Sequence, residues 1–433
     1  MNLETAVALC AVGAEKAVSN ELRKLGSVRC PGRDDSFIKV EESLYGRVRF
    51  KADVKSLYQA LIGLRAADRV LLEVANFKAT DFDALFEGTA AAPWESLVPK
   101  GMGLKVAKVR ANRSQLKAET SIQSIVHKAA AQRLCGKYKM NRLPEPVMIP
   151  KRAKNHTDKT SHDDIHSSSQ VKVAEVRVYI EKDIVSLLVD LSGEPLFKRG
   201  YRSEGGVAPL RETTAASILL LSGWKRKFPL YDPFCGSGTI LIEAAMYAWD
   251  MAPCLGRNFA MNDLLIADEK IDMAVREEFR SKIDFSRLVR IAGSDEDMRS
   301  VSIAKSNIAR LHDIAEGKTP QRGIRSPDSN LGIDLKVLPM SKACSPFVSE
   351  NDDSHQPQGV LVTNPPYGKR LGDQSTAEQI YKDMRGLEQR FPGWKLAVIT
   401  DHSGFETFFG KKADSCREIS NGAIPSYFFQ YEV

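Results

Sequence analysis

Asp232-Pro233-Phe234-Cys235-Gly236-Ser237-Gly238-Thr239 follows the apolar residues Pro229 to Tyr231 and runs into the helix-patterned stretch Thr239 to Trp249. A strand, a glycine-rich turn and a helix in that order predict a βα unit. Gly236 and Gly238 let the backbone approach a ligand, and the helix start offers unpaired N–H groups. Neither the Gly-Lys-Ser/Thr ending of a phosphate loop nor the spacing of the dinucleotide fingerprint is present, which disfavours ATP and NAD. The unit then recurs. A second strand at Val289 to Gly293 is followed by a helix at Met298 to Leu311; a third short strand, a fourth at Gly359 to Thr363 and a fifth at Lys395 to Thr400 come after. Alternating strands and helices predict an α/β, mainly parallel, doubly wound sheet over the C-terminal half.

Two further clusters sit at strand ends. Gly293-Ser294-Asp295-Glu296-Asp297 places an acidic residue where it can accept hydrogen bonds from both hydroxyls of a ribose, and Asp295 is the candidate. Asp297 suits the cap of the next helix. Thr363-Asn364-Pro365-Pro366-Tyr367-Gly368 closes the fourth strand. Its prolines stiffen the turn and leave carbonyls free to accept. Asn364 and the Pro365 carbonyl are suited to hold the protons of an aromatic amine, and Tyr367 to stack on a flipped base. Cys235 has no evident partner base, so a nucleophilic role is not expected.

The N-terminal half reads differently. A strand at Thr5 to Cys10, a helix at Gly13 to Leu25, strands at Ser36 to Val40 and Gly46 to Phe50 and a helix at Ser56 to Leu64 predict a compact α+β unit. Further on come strands at Val70 to Phe77 and Leu104 to Arg110, a helix from Glu119, and a strand pair at Val171 to Ile180 and Ile184 to Asp190 turning at Glu181-Lys182-Asp183. Charge is uneven. Up to Glu204 there are 34 Lys and Arg against 25 Asp and Glu, and beyond it 28 against 30; Lys100 to Lys159 alone holds 15 basic residues against 3 acidic. Such density favours a polyphosphate partner. Lys105, Lys108, Arg110 and Arg113 are candidate phosphate contacts, with strict alternation placing Lys105 on the face opposite Lys108 and Arg110.

Length 433, hydrophobic content 43% and charged content 27% indicate a multidomain globular protein. Mean hydropathy is −0.28. No apolar run is long enough to span a bilayer and no signal peptide is evident, so a cytoplasmic protein without membrane partners is expected. Seven scattered cysteines, never in a Cys-x-x-Cys pair, argue against a disulfide framework and against a zinc site; no metal is expected.

The three strand-end clusters together resemble amino-methyltransferases with an Asn-Pro-Pro-Tyr signature. Adding Phe197-Lys198-Arg199-Gly200-Tyr201-Arg202 and Ala208-Pro209-Leu210-Arg211-Glu212-Thr213, the chain resembles the THUMP-containing RNA guanine-N2 methyltransferases that act on large-subunit rRNA and on tRNA. The resemblance spans nearly the whole chain. It implies a ferredoxin-like region at 1–66, a THUMP RNA-binding domain at 67–190, a junction at 191–209 and a Rossmann-like methyltransferase domain at 210–433. S-adenosyl-L-methionine is the implied cofactor, held by Asp232 to Thr239 and Asp295, with Pro209, Arg211 and Glu212 shaping the pocket. Asn364, Pro365, Pro366 and Tyr367 carry the chemistry. RNA is the implied partner, with Lys198, Arg199 and Arg202 of the junction added to the basic set. Met340 and Ser341 stand where the resemblance puts an acidic residue near the adenine. The alternatives are a tRNA target, an adenine-N6 DNA methyltransferase, which a separate target-reading insert would favour, and a non-catalytic assembly factor, which failure to bind the cofactor would favour.

Overall fold

The structure is a computed structural model that describes residues 3–26, 37–145, 171–202, 210–318, 332–347, 359–366, 374–422 and 424–432. Tyr367, Gly368 and Pro209, with the hydrophilic stretch Pro150 to Gln170, lie outside the described residues. The chain forms two units. One comprises Met1–Val70, Glu194–Asn258 and Glu269–Val433; the other comprises Leu71–Gly193 and Phe259–Asp268.

The first unit begins with β1 (Glu4–Cys10), α1 (Glu15–Gly26), β2 (Ile38–Leu44), β3 (Arg47–Ala52) and α2 (Val54–Gly63). β3 pairs antiparallel with both β1 and β2. α1 buries Ala17, Val18 and Leu22, and its Glu15 and its Arg23 and Lys24 match the helix dipole at the two ends. α2 is capped by Asp53, whose carboxylate accepts the Ser56 N–H at 2.8 Å.

In the second unit β4 (Ala67–Lys78) enters from the first, followed by α3 (Phe82–Ala91), β5 (Gly103–Asn112), α4 (Glu119–Tyr138), β6 (Val173–Glu181) and β7 (Ile184–Asp190). The order is β4-β7-β6-β5, with β5 parallel to β6 and the other pairs antiparallel. Lys182 and Asp183 adopt φ of 51° and 63°, the double left-handed turn that suits a tight hairpin. Asp183 anchors that turn by accepting from the Ser114 hydroxyl and the Gln115 N–H, both at 2.8 Å. β5 corrects the alternation inferred from sequence. Its register against β6 shifts between Val106 and Lys108, so Ala107 is an extra residue and the phase flips there. Lys105, Lys108 and Arg110 are consequently all exposed on one face, while Leu104, Val106 and Val109 are buried.

The rest of the first unit holds α5 (Glu212–Leu221), β8 (Leu230–Asp232), α6 (Thr239–Ala248), α7 (Glu269–Ser281), β9 (Ile291–Asp295), α8 (Met298–Ala315), β10 (Ile333–Val337) and β11 (Val360–Thr363). These lead to α9 (Gln374–Asp383), α10 (Leu387–Arg390), β12 (Lys395–Thr400), α11 (Phe405–Phe409), β13 (Ser415–Asn421) and β14 (Ile424–Tyr431). Seven strands order as β10-β9-β8-β11-β12-β14-β13. The first five are parallel; β14 runs antiparallel to both neighbours, and this hairpin and α7 had no counterpart in the sequence reading. Apolar residues alternate between two cores. Val360, Val362, Ala397, Ile399 and Phe428 face α5, α6 and α8, whereas Leu361, Leu396, Val398 and Phe429 face the aromatic cluster around Tyr381, Phe391 and Phe405. Burial on both faces explains why these strands read as continuous apolar runs.

The chain order reverses between β8 and β11, which opens a crevice at their carboxyl ends. The N-terminal elements of this unit pack on its C-terminal hairpin. Gly13, at φ +90°, sits so close that a Cβ there would lie 2.0 Å from the Glu418 carbonyl oxygen, and Val12 and Ser420 exchange hydrogen bonds of 3.1 and 3.2 Å.

Candidate active site

Asp232 ends β8 with 1% exposure, and its Oδ1 accepts the Phe234 N–H at 3.0 Å and the Thr363 hydroxyl at 2.7 Å. Two strands that diverge at the crevice are thereby tied at their tips. Burial raises the carboxyl to about 7, aided by the Asp295 charge and only partly offset by its two hydrogen bonds. Gly236 and Gly238 take φ of 51° and 80°, and a Cβ on Gly238 would stand 3.0 Å from that of Ala304 on α8. The turn is fixed from outside as well. Asn307 Nδ2 donates to the Ser237 carbonyl at 3.0 Å, and Arg202 Nη2 donates to the Thr239 hydroxyl at 2.7 Å.

The acidic cluster after β9 divides its work. Asp297 caps α8, accepting from the N–H groups of Arg299 and Ser300 at 3.0 and 3.1 Å. Asp295 accepts the Gly236 N–H at 2.9 Å and the Asp297 N–H at 3.0 Å, and it lines a cavity of about 600 Å³. Asp232 to Ser237, Asn364, Pro365 and Pro366 line the same cavity. Stretches 58 or more residues apart in sequence are brought together there. Asn364 Oδ1 is buried and has no hydrogen-bond partner among the described residues. A buried acceptor left without a partner costs about 1–3 kcal/mol.

Other expected site residues lie elsewhere. Arg211 pairs with Asp68 at 3.6 Å and covers the Phe197 ring at 4.8 Å, while Glu212 is 4% exposed and pairs with Arg202 at 3.5 Å. Neither lines the cavity, although the adjacent Leu210 does. Arg199 requires a correction as an RNA contact. It is 3% exposed, donates to the Leu196 carbonyl at 2.8 Å and to that of Arg65, and pairs with Glu243 at 3.4 Å, which leaves no group for a phosphate. Lys198 is exposed and pairs with Glu194. Cys235 is 5% exposed, and burial together with the Asp232 and Asp295 charges pushes its thiol well above the ordinary range, so no thiolate nucleophile is available.

The cavity also contains residues that sequence reading did not propose. Ile303 faces it from α8, and Ile380 and Asp383 share one face of α9 at i and i+3. An amphipathic spacing was the only signal, and it does not say what the helix faces. Met340 and Ser341 line it too, so the position the resemblance reserves for an acidic residue is apolar and hydroxylic here.

The raised Asp232 has a measurable consequence. Folded protein binds this proton up to about pH 7, but an unfolded carboxyl releases it near 3.8, so its contribution to stability is complete below pH 3.8 and is lost as pH rises to about 7. Three pK units amount to about 4 kcal/mol. Asp232→Asn lacks this loss, so the melting temperature of the variant relative to wild type should be more favourable at pH 8 than at pH 5. Parallel melting curves across that range would show that Asp232 titrates normally.

Comparison with known proteins identifies the family. The RMKL-like methyltransferase domain matches residues 199–316 and 347–428, and the RlmL ferredoxin-like domain matches residues 5–71. A Bacillus subtilis (strain 168) protein, YpsC, provisionally named an RNA methyltransferase, is 32% identical over 433 residues, covering 100% of this chain and 96% of its own length. The ribosomal RNA large subunit methyltransferase K/L of Syntrophotalea carbinolica is 28% identical over 431 residues; the match covers 97% of this chain and 52% of that protein, so this chain spans about half of that relative. The crystal structure of SMU.472, provisionally named a methyltransferase and complexed with SAH, is 30% identical, with a TM-score of 0.76 and coverage of 100% of this chain and 98% of the other. With a relative 32% identical over 100% of this chain and 96% of its own length, this chain belongs to the RMKL-like methyltransferase family.

Proposed function

We propose that this enzyme transfers a methyl group from S-adenosyl-L-methionine to the exocyclic N2 amine of a guanine in RNA, with large-subunit rRNA as the target and tRNA as the alternative. The observation that carries the reading is the orphaned Asn364 Oδ1, which shares a cavity with the Asp295 carboxylate at a strand-order reversal. The residues fit the cofactor. Two left-handed glycines hold the turn open to a ligand, and Asp295 presents paired acceptors suited to a ribose diol. When bound, the cofactor supplies an electrophilic methyl on a sulfonium.

The protein's own contribution is positioning and electrostatics. An aromatic amine is a weak nucleophile because its lone pair is delocalised into the ring. Asn364 Oδ1 and the Pro365 carbonyl can accept hydrogen bonds from its two N–H groups, orient the lone pair, and stabilise the positive charge that develops on nitrogen until one of those protons is released to solvent. Pro365 and Pro366 keep that acceptor pair rigid. In this reading Tyr367 stacks on the extruded base, and Lys105, Lys108, Arg110 and Arg113 of the second unit dock RNA phosphates as a THUMP-type domain does. A reducing cytoplasm suits such a substrate, and direct transfer calls for no metal. Among the described residues no helix is long and apolar enough to cross a membrane.

The test is transfer of tritium from methyl-labelled cofactor to RNA and to DNA, with the product nucleoside identified by mass spectrometry. The expected product is N2-methylguanosine in RNA. Asp295→Ala should weaken cofactor binding about tenfold or more, the worth of a charged hydrogen bond, while RNA affinity holds. Label in DNA adenine would reject the guanine-N2 assignment, and unchanged cofactor affinity would remove Asp295 from the site.

A further inference from the structure

A second cavity, of about 750 Å³, lies within the first unit and shares no lining residue with the active site. It sits at the far end of α6. That helix starts at the cofactor turn, and Tyr247, on its last turn, lies about 12 Å along the axis from Thr239. Seven Lys and Arg side chains line the cavity, against two carboxylates, Glu21 and Asp250.

The two carboxylates offset part of this charge and leave a cationic excess among the lining residues. Glu21 accepts the backbone N–H groups of Arg65 and Ala66, each at 3.0 Å, and Asp250 is bridged by Arg226 and Arg287. Arg65 is 8% exposed. Its Nη2 donates to the carbonyls of Met246 and Met251 at 3.3 and 2.7 Å, which fixes the guanidinium plane. Its Nη1 is buried with no hydrogen-bond partner among the described residues. The Tyr247 ring gathers more cations: Arg226 lies 4.4 Å from its centroid, Arg65 5.5 Å and Lys24 5.9 Å. Arg226 is paired with Asp250, and an anion at this ring is attracted by the net positive charge of the lining residues.

We propose that this cavity binds a nucleoside 5′-phosphate, its phosphoryl group on Arg65 and the cations around Tyr247. Guanidinium forks match phosphate oxygens in geometry as well as charge. Leu25, Leu220, Leu221 and Phe279 add an apolar surface, which inorganic phosphate would leave uncovered and a base and sugar would cover. The volume falls within the range of small-ligand sites. Either a free mononucleotide or the 5′-phosphorylated end of an RNA chain presents this group.

Equilibrium binding on the full chain tests the site, with GMP, AMP, guanosine and a trinucleotide carrying either a 5′-phosphate or a 5′-hydroxyl. GMP or the 5′-phosphorylated trinucleotide should bind about tenfold or more tightly than its unphosphorylated counterpart, as expected when charged hydrogen bonds are lost. Arg65→Lys keeps the charge and removes Nη1, and Lys24→Glu changes an exposed residue. Both should weaken phosphorylated-ligand binding about tenfold, while Asp295→Ala leaves it unchanged. Preference for the trinucleotide would assign the site to a chain end and preference for GMP to a free nucleotide, and either supports it. Equal binding with and without phosphate, no binding at all, or affinity lost in Asp295→Ala but retained in Lys24→Glu would overturn it.

Discussion

Replacing Asn364 with alanine should lower the single-turnover methyl-transfer rate on RNA by about 10²–10³-fold, the range for loss of one preorganised group facing developing charge. Cofactor affinity should stay within a fewfold of wild type. The separation follows from where the acceptor sits. Asn364 Oδ1 has no partner among the described residues, so its deletion breaks no hydrogen bond among them, whereas Asp232, Gly236 and Asp295, which are bonded to one another's elements, are left intact. An acceptor engaged as the amine becomes cationic acts in the chemical step. Rapid-quench measurement under single-turnover conditions, paired with cofactor titration, separates rate from binding. A rate near that of wild type would reduce the Asn-Pro-Pro turn to a structural element.

Reversing Lys105, Lys108 and Arg110 together to glutamate should weaken RNA binding by about 100-fold at low salt and lower the slope of log affinity against log salt by roughly two to three. Each phosphate neutralised by a cation releases counterions and contributes about 0.7–0.9 to that slope. The bulge at Ala107 makes the three side chains a single exposed row, so Lys105 should matter as much as its neighbours. Point reversals are preferable to removal of residues before Arg202. Such a cut would take away Arg65, whose guanidinium holds the Met246 and Met251 carbonyls, and the Val12 pairing with Ser420. Affinity measured over a salt series for wild type and the triple variant is decisive. Identical slopes would make the row a solvated surface and leave RNA recognition to other residues.

Local features of the chain were legible in its sequence. The turn Asp232 to Thr239, the Asp295 cluster and the Asn364 turn each follow from a strand's apolar run meeting residues with special backbone or capping preferences, and such preferences act over a few neighbouring residues. The alternation of strands and helices gave the doubly wound class for the same reason. The tertiary structure decided what those preferences do not reach. Strand order placed the three turns around one cavity, and it brought in Leu210, Ile303 and Ile380 beside them. Arg199 looks like any junction cation in the sequence, yet packing buried it against Glu243. The extra residue at Ala107 is set by pairing with β6, and the cationic cavity around Arg65 and Tyr247 exists only because residues from α1, the end of α2 and α6 converge. Burial and register are properties of partners distant in sequence, and they are fixed cooperatively as the core packs.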